Sequence, residues 1–122
     1  MSTFEAAPGV LANGEQTIGE DVADLGGLNI AFDALTEYLK KKGVTGNALK
    51  EEQKKFFEHY AYRYRTQYSA EELQQQLLSG THSVVKLRVN GMVQHMDAWY
   101  ELYNVVEGDA LYLPKEERVV IW

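Results

Sequence analysis

Two carboxylate side chains in the first quarter of the chain have a spacing suited to chemistry. Glu20 and Asp24 are four residues apart, and side chains with this spacing lie on the same face of an α-helix. Carboxylates that share a face can hold a metal ion or tune a pKa for proton transfer. Acidic residues are also favoured in the first turn of a helix, where they stabilise the positive end of its dipole. The spacing alone favours this structural interpretation.

Neighbouring residues bear on both interpretations. Thr17 and Glu20 match a capping box, which predicts that a helix begins at Thr17 and that Glu20 closes the box. Gly26 and Gly27 follow Asp24, although a glycine costs up to about 1 kcal/mol inside a helix. Glycine is best tolerated there when another backbone approaches closely. We therefore expect a segment to pack tightly against the helix beside Asp24.

A second segment contains His82 and, six residues later, Arg88. Both side chains can donate hydrogen bonds to substrate oxygens, but such a pair in a loop is often only a surface pair. The chain has three histidines and no cysteine, so a metal would have to bind to His, Asp or Glu. No two of His59, His82 and His95 share a turn or short loop, and no His-Glu-x-x-His sequence occurs. His59 and His95 are therefore interpreted as structural.

Composition limits the class of protein. The chain has 122 residues, of which 45% are hydrophobic and 25% charged, as in an ordinary globular domain. Its net charge of -6 repels nucleic-acid phosphates and anionic lipids. The apolar runs are too short for a membrane span, and residues 1–12 lack the features of a signal peptide. We expect a single domain over residues 1–122 with no nucleic-acid or membrane partner, and the compartment stays open.

The pattern of apolar residues predicts a mainly α fold with a short extended element. Residues 1–16 contain turn-forming residues and no periodicity, which predicts an extended arm that runs into a turn. Apolar residues at three- and four-residue steps predict four helices. The first runs from Thr17 to a stop at 40–43, and the second, over 48–65, has an aromatic core stripe that includes Tyr60 and Tyr64. A short third helix opens with a capping box at Ser69 and stops before Gly80, and the fourth covers 97–105.

Two further regions lie between and after these helices. Residues 82–93 mix apolar and polar side chains around Asn90-Gly91, which predicts a loop with extended character. The chain turns at Pro114 and ends in Val119-Val120-Ile121-Trp122. Because this end is apolar and aromatic, we expect it to dock into the core.

The two segments that hold the candidate site residues resemble a known family. Asn13-Gly14, Thr17-Ile18-Gly19-Glu20 and Ala23-Asp24-Leu25-Gly26-Gly27 resemble the segment after the zinc helix of neprilysin-family zinc metalloendopeptidases, including bacterial oligopeptidase-O-like members. Residues 81–91 resemble a later motif of that family, with a His and an Arg six residues on. The resemblance runs from about Phe4 to Trp122. It implies a helical C-terminal subdomain of a thermolysin-like catalytic domain.

The resemblance implies a role for each candidate residue. Glu20 corresponds to the third zinc ligand, and Asp24 corresponds to a carboxylate that orients a zinc-bound histidine. His82 corresponds to a donor to the oxyanion of the transition state. Arg88 corresponds to a group that grips a substrate carbonyl. Asp21 stands where many members have Asn, and no role is attached to it.

This chain also departs from the family pattern at two places. Many members have Asp and Pro where this chain has Gly80 and Val84, which bears on the orientation of His82. The His-Glu-x-x-His helix, which supplies two zinc ligands and the general base in the family, does not occur in these residues. We therefore expect the C-terminal portion of a zinc-dependent metalloendopeptidase acting on peptides. Zinc is the cofactor of the family, but this chain alone should neither bind it nor cut peptides.

Two classes of function follow. In the first, the partners are a peptide substrate and the missing N-terminal part of the catalytic domain. In the second, the chain is a non-catalytic helical module that binds peptides or a protein, with Arg88 keeping its contact to a carbonyl. In either case an apolar face around Val22, Gly26 and Gly27 would be uncovered without the zinc helix, so we expect self-association into a homo-oligomer.

Overall fold

The computed structural model describes residues 4–121. Within these residues, two short strands and four α-helices follow one another, with a π-helical segment before the last helix and a 3₁₀ turn after it. They are β1 (Glu5–Ala7), β2 (Val10–Leu11), α1 (Gly14–Lys41), α2 (Gly46–Arg63), α3 (Ala70–Ser79), the π-helical segment (Leu87–Gly91), α4 (Asp97–Tyr103) and the 3₁₀ turn (Lys115–Glu117). The prediction of a mainly α fold with a short extended element is confirmed.

The N-terminal arm is a small β-hairpin. β1 and β2 pair antiparallel, with Glu5 opposite Leu11 and Ala7 opposite Val10. Gly9 closes the turn with a φ of +75°, a conformation that glycine adopts without a steric penalty. The predicted extended arm is thus correct in character, but it ends earlier than expected because α1 begins at Gly14. Residues 1–3 of the predicted arm lie outside the described part of the chain.

The predicted capping box at the start of α1 is wrong. Asn13 is the N-cap, and its side-chain oxygen accepts a hydrogen bond from the backbone N–H of Gln16 at 3.3 Å. Thr17 lies inside the helix, where its hydroxyl donates to carbonyl and carboxylate oxygens. Asparagine is as good an N-cap as threonine or better, so the helix starts one turn earlier. As a consequence, Glu20 does not close a cap.

α1 and α2 pack together over an aromatic core. Phe32 of α1 stacks on Phe57 of α2 with ring centroids 5.2 Å apart, and Phe57 also meets Tyr103 of α4. Gln53 of α2 donates to the Thr36 hydroxyl of α1 at 3.0 Å, which fixes the register of the two helices. The predicted helices and the end of α1 near Gly43 are confirmed. This packing holds the second half of α1 against α2, and the first half of α1 carries Glu20 and Asp24.

α3 has the capping box that its sequence predicts. The Ser69 hydroxyl accepts from the backbone N–H of Glu72, and the Glu72 carboxylate accepts from the backbone N–H of Ser69 at 2.8 Å. The backbone N–H of Ser69 and, to a smaller extent, its hydroxyl lower the pKa of the Glu72 carboxyl. The helix ends at Ser79, before Gly80, as predicted.

The predicted extended loop over residues 82–93 is wrong. Residues 85–93 form a helical stretch that contains the π-helical segment. Val84, Leu87 and Gly91 are buried at steps of three and four residues, which is helical spacing. The turn-like pair Asn90-Gly91 masked this pattern. Gly91 has a packing role here, since a Cβ at this position would clash with the buried side chain of Leu87.

The end of the chain follows the prediction in part. α4 ends at Tyr103, with Asn104 in a left-handed conformation, so the helix is slightly shorter than expected. Ile121 packs against the core, whereas Val120 is exposed. The docking of the apolar terminus is therefore confirmed at Ile121, and Trp122 lies outside the described residues. Among residues 4–121, no helix is long and apolar enough to cross a bilayer.

Candidate active site

All four candidate residues of the sequence come together in two facing pairs. Glu20 and Asp24 project from α1, His82 lies in the loop after α3, and Arg88 lies in the π-helical segment. His82 faces Glu20, and Arg88 faces Asp24. Residues more than 60 positions apart along the chain thus form one cluster. The spacing of Glu20 and Asp24 predicted a shared face, and the tertiary fold supplies their partners.

The Glu20–His82 pair is open to solvent. Nδ1 of His82 lies 3.4 Å from Oε2 of Glu20, and the two side chains are 48% and 50% exposed. The contact is an ion pair only when the imidazole is protonated. Because neither side chain is buried, both are accessible to a ligand. The pair is therefore the part of the cluster that is accessible for chemistry.

The Asp24–Arg88 pair is largely buried and strongly bonded. Nε and Nη2 of Arg88 donate to the two carboxylate oxygens of Asp24 at 2.7 and 2.8 Å. Such bidentate pairing holds both planar groups in one orientation. Donation to the Asp24 carboxylate raises the pKa of the Arg88 guanidinium, which therefore stays charged. Each oxygen of Asp24 keeps a second lone pair that can accept from another donor.

Tyr60 of α2 and Tyr64, the C-cap residue of that helix, hold Arg88 from the other side. The ring of Tyr64 lies 4.7 Å from the guanidinium carbon of Arg88, a cation–π contact. The Tyr60 hydroxyl donates to the backbone carbonyl of Arg88. Burial, reinforced by the negative charge of Asp24, raises the pKa of Tyr60 and keeps this donor protonated.

Sequence reasoning assigned both tyrosines to a core stripe and missed this contact. The available signal was the change from Phe56 and Phe57 to Tyr60 and Tyr64 along one face. A hydroxyl on a half-buried ring generally needs a polar partner, so the change indicated a polar group opposite the end of α2.

Glutamine side chains fix the loop that carries His82. Gln76 of α3 donates to the backbone carbonyl of His82 at 2.6 Å, and Gln16 of α1 donates to the carbonyl of Gly80 at 2.7 Å. A Cβ at Gly80 would clash with the Gln76 side chain. Glycine at position 80 therefore leaves room for the Gln76 side chain to reach the His82 carbonyl. Val84, the other departure from the resembled motif, is buried in the core.

The described residues do not form a complete metal site. Within residues 4–121, no three His, Asp or Glu side chains are grouped so that they could hold a metal ion. His59 is exposed on α2, and His95 is buried, with Nδ1 accepting from the backbone N–H of Val119 at 3.0 Å. A catalytic zinc needs three protein ligands and an open position. Glu20 alone does not meet this requirement.

The sequence matches the peptidase family M13 over residues 2–119, which is nearly the whole chain. This chain belongs to peptidase family M13. The match indicates a metallopeptidase origin for the chain.

Curated relatives of this M13 chain are much longer. It is 35% identical over 119 residues to "Neutral endopeptidase" of Lactococcus lactis subsp. lactis, a match that covers 97% of this chain and 17% of that protein. It is 32% identical to human "Membrane metallo-endopeptidase-like 1", covering 14% of it, and 28% identical to human "Neprilysin", covering 16% of it. No solved structure gives a significant match. The M13 chain thus spans about one sixth of the length of these relatives.

Proposed function

We propose that this chain supplies the C-terminal part of the active site of a zinc-dependent metalloendopeptidase that acts on peptides. The observation that carries the proposal is the convergence of Glu20, Asp24, His82 and Arg88 in two facing pairs. The accessible pair has the groups needed for metal binding and for hydrogen bonding to a substrate. The buried pair holds its members in fixed orientations.

Each residue has a chemical role in this proposal. Glu20 is one protein ligand of the zinc ion, which would polarise a substrate carbonyl and a water molecule when bound. Asp24 accepts a hydrogen bond from a histidine ligand outside these residues, using a lone pair not taken by Arg88. His82 donates to the oxygen of the scissile carbonyl as negative charge develops there.

Arg88 is suited to gripping a substrate carbonyl. Asp24 takes its Nε and Nη2 donors, and Nη1 has no hydrogen-bond partner among residues 4–121. A guanidinium held by a carboxylate and an aromatic ring loses little entropy when it forms a further hydrogen bond. The two N–H groups of Nη1 are therefore available to a neutral acceptor such as a backbone carbonyl.

Under this proposal, the 122-residue chain does not hydrolyse peptides by itself. Glu20 needs two further protein ligands to hold a catalytic zinc, and the described residues do not group them around it. The remaining ligands and the general base would come from the part of the longer protein that these 122 residues do not include.

A second function has one specific observation in its favour. Gly14, Ile18, Val22, Leu25, Val119 and Ile121 line a groove of about 300 Å³ whose walls are mainly apolar. Such a groove fits a peptide-binding or protein-binding module without catalysis. The two functions differ in whether Glu20 is needed, since Glu20 does not line the groove.

A chimera tests the proposal. This chain would replace the matching segment of the Lactococcus lactis neutral endopeptidase, and peptide hydrolysis would be measured after circular dichroism confirms folding. Glu20→Gln should abolish hydrolysis, and Asp24→Asn should lower it about 10–100-fold, as for other residues that orient metal ligands. Glu37→Gln, at an exposed glutamate in the second half of α1, is the matched control and should have no effect. A chimera that hydrolyses peptides equally well with Gln at position 20 would contradict the proposal.

A further inference from the structure

Asp21 is a carboxylate with no exposed surface. It lies on α1 next to Glu20, and sequence analysis attached no role to it. Burying a carboxylate is unfavourable unless hydrogen bonds compensate for the lost water. The environment of Asp21 must therefore supply those bonds, and the residues that do so connect α1 to the loop of His82.

Two hydroxyl groups surround the Asp21 carboxylate. The Thr17 hydroxyl donates to Oδ2 at 2.8 Å, and the Ser83 hydroxyl donates to Oδ1. The two hydroxyl oxygens are 3.0 Å apart. Carboxylate oxygens accept hydrogen bonds, so Asp21 accepts from Ser83 and shares the single Thr17 proton with the Asn13 carbonyl oxygen, which lies 3.2 Å from the Thr17 hydroxyl. Thr17 and Ser83 are also buried, which closes the cluster to water.

The cluster runs alongside the accessible pair. Asp21 follows Glu20 on α1, and Ser83 follows His82 in the loop. Asp21 contacts Ser83 in the interior, and Glu20 contacts His82 at the surface. We propose that Asp21, Thr17 and Ser83 are positioning residues that set the His82 imidazole opposite Glu20. This inference rests on the proposed function, because it explains how a transition-state donor is kept in register with a metal ligand.

The buried cluster is better suited to this task than the other contacts of the loop. The bonds from Gln16 and Gln76 to the loop carbonyls are exposed, where water competes for the same atoms. A fully satisfied buried network is stiffer, since water does not compete for its members. Catalytic geometry is demanding: a displacement of about 1 Å can lower the rate about 10²-fold.

An NMR experiment on the 122-residue chain tests the inference without metal or substrate. The observable is the nuclear Overhauser effect between the ring protons of His82 and the side-chain methylene protons of Glu20. Ser83→Ala should lose this signal while the signals between Phe32 and Phe57 in the core persist. Ser79→Ala removes an exposed hydroxyl that bonds only within α3, and it should keep the signal.

Two further variants make the result decisive. Asp21→Asn should keep the signal, because the amide has the same shape and a hydroxyl can donate or accept. If Ser83→Ala does not fold, Thr17→Val serves instead, since it removes the donor to Oδ2 at nearly constant volume, and it should also lose the signal.

A His82–Glu20 signal that persists in folded Ser83→Ala, or in Thr17→Val where Ser83→Ala does not fold, would overturn the inference. That outcome is distinct from failure of the proposed function, because the NMR signal does not depend on whether Glu20 binds zinc.

Discussion

At the scale of single residues, Arg88 has the most constrained side chain of the candidate site. A carboxylate holds it on one side, an aromatic ring lies 4.7 Å from its guanidinium carbon, and a hydroxyl holds its backbone. The positions of Glu20 and Asp24 on one face could be predicted from their spacing. The contacts of Arg88 could not, because they join segments whose relative placement depends on the packing of α1 and α2.

Replacing Tyr64 tests this description of Arg88. Tyr64→Leu removes the aromatic face, so the Arg88 Nε proton should exchange faster with water, and the free energy of unfolding should fall by about 0.5–1 kcal/mol. Tyr62→Leu is the matched control on the same helix, because the Tyr62 ring contacts Arg65 instead. NMR exchange and urea unfolding measure both effects. Unchanged exchange at Arg88 in Tyr64→Leu would show that the ring does not hold the guanidinium.

His95 predicts a pH dependence of stability. Burial lowers the pKa of His95, and Nδ1 must be unprotonated to accept from Val119. Since the folded pKa lies below the unfolded value of about 6.5, the stabilisation is present above that value and is lost as the pH falls through the folded pKa.

Urea midpoints measured from neutral to mildly acidic pH test this dependence. His95→Asn keeps an acceptor that does not titrate, so its stability should fall less than that of the unmodified chain. His59→Asn, on an exposed histidine, is the control and should follow the unmodified chain. Equal acid sensitivity of His95→Asn and the unmodified chain would count against this role.

At the scale of elements, the π-helical segment depends on a glycine. Gly91→Ala would force a methyl group against the buried side chain of Leu87, so it should lower the free energy of unfolding by about 1–3 kcal/mol. Gly27→Ala, in α1 with no atom within 4 Å of the added Cβ, is the control. It should stabilise the chain by up to about 1 kcal/mol because alanine favours helix. Thermal unfolding of the two variants decides the prediction, and a neutral Gly91→Ala would contradict it.

The behaviour of the elements shows where sequence reasoning succeeds. α2 and α3 were predicted within a few residues, because an aromatic stripe and a capping box are local signals. The start of α1 was misplaced because Asn13 and Thr17 are both good N-caps and only the fold selects one. The sequence of residues 82–93 predicts a loop because a pair such as Asn90-Gly91 is typical of turns. In the structure, the position needs glycine because the Leu87 side chain occupies the space that a Cβ would take.

At the scale of the whole molecule, α1 presents an apolar face that the described residues leave open. Ile18 is 61% exposed and Val22 is 40% exposed, and Gly27 has no neighbour within 4 Å of an added Cβ. Gly26, in contrast, is buried. The tight packing expected beside Asp24 is therefore absent at Gly27 within residues 4–121. We propose that the rest of the longer protein covers this face.

Without that cover, the face predicts self-association. Light scattering over a concentration series should show an apparent mass above that of a monomer at high concentration. Val22→Lys should shift the chain toward monomer, whereas Val106→Lys, at an exposed valine in the segment after α4, should not. A strict monomer at every concentration would contradict the prediction.

The measurement that tests the central claim most directly is calorimetric titration with zinc. It would compare the metal-free 122-residue chain with the chimera described above, each with and without Glu20→Ala. The account predicts no binding of micromolar or tighter affinity by the isolated chain, and one zinc per chimera that is lost in Glu20→Ala. Tight binding by the isolated chain that depends on Glu20 would mean that the chain completes a site by itself or between copies. A chimera that binds zinc equally well without Glu20 would contradict the assignment of this residue as a metal ligand.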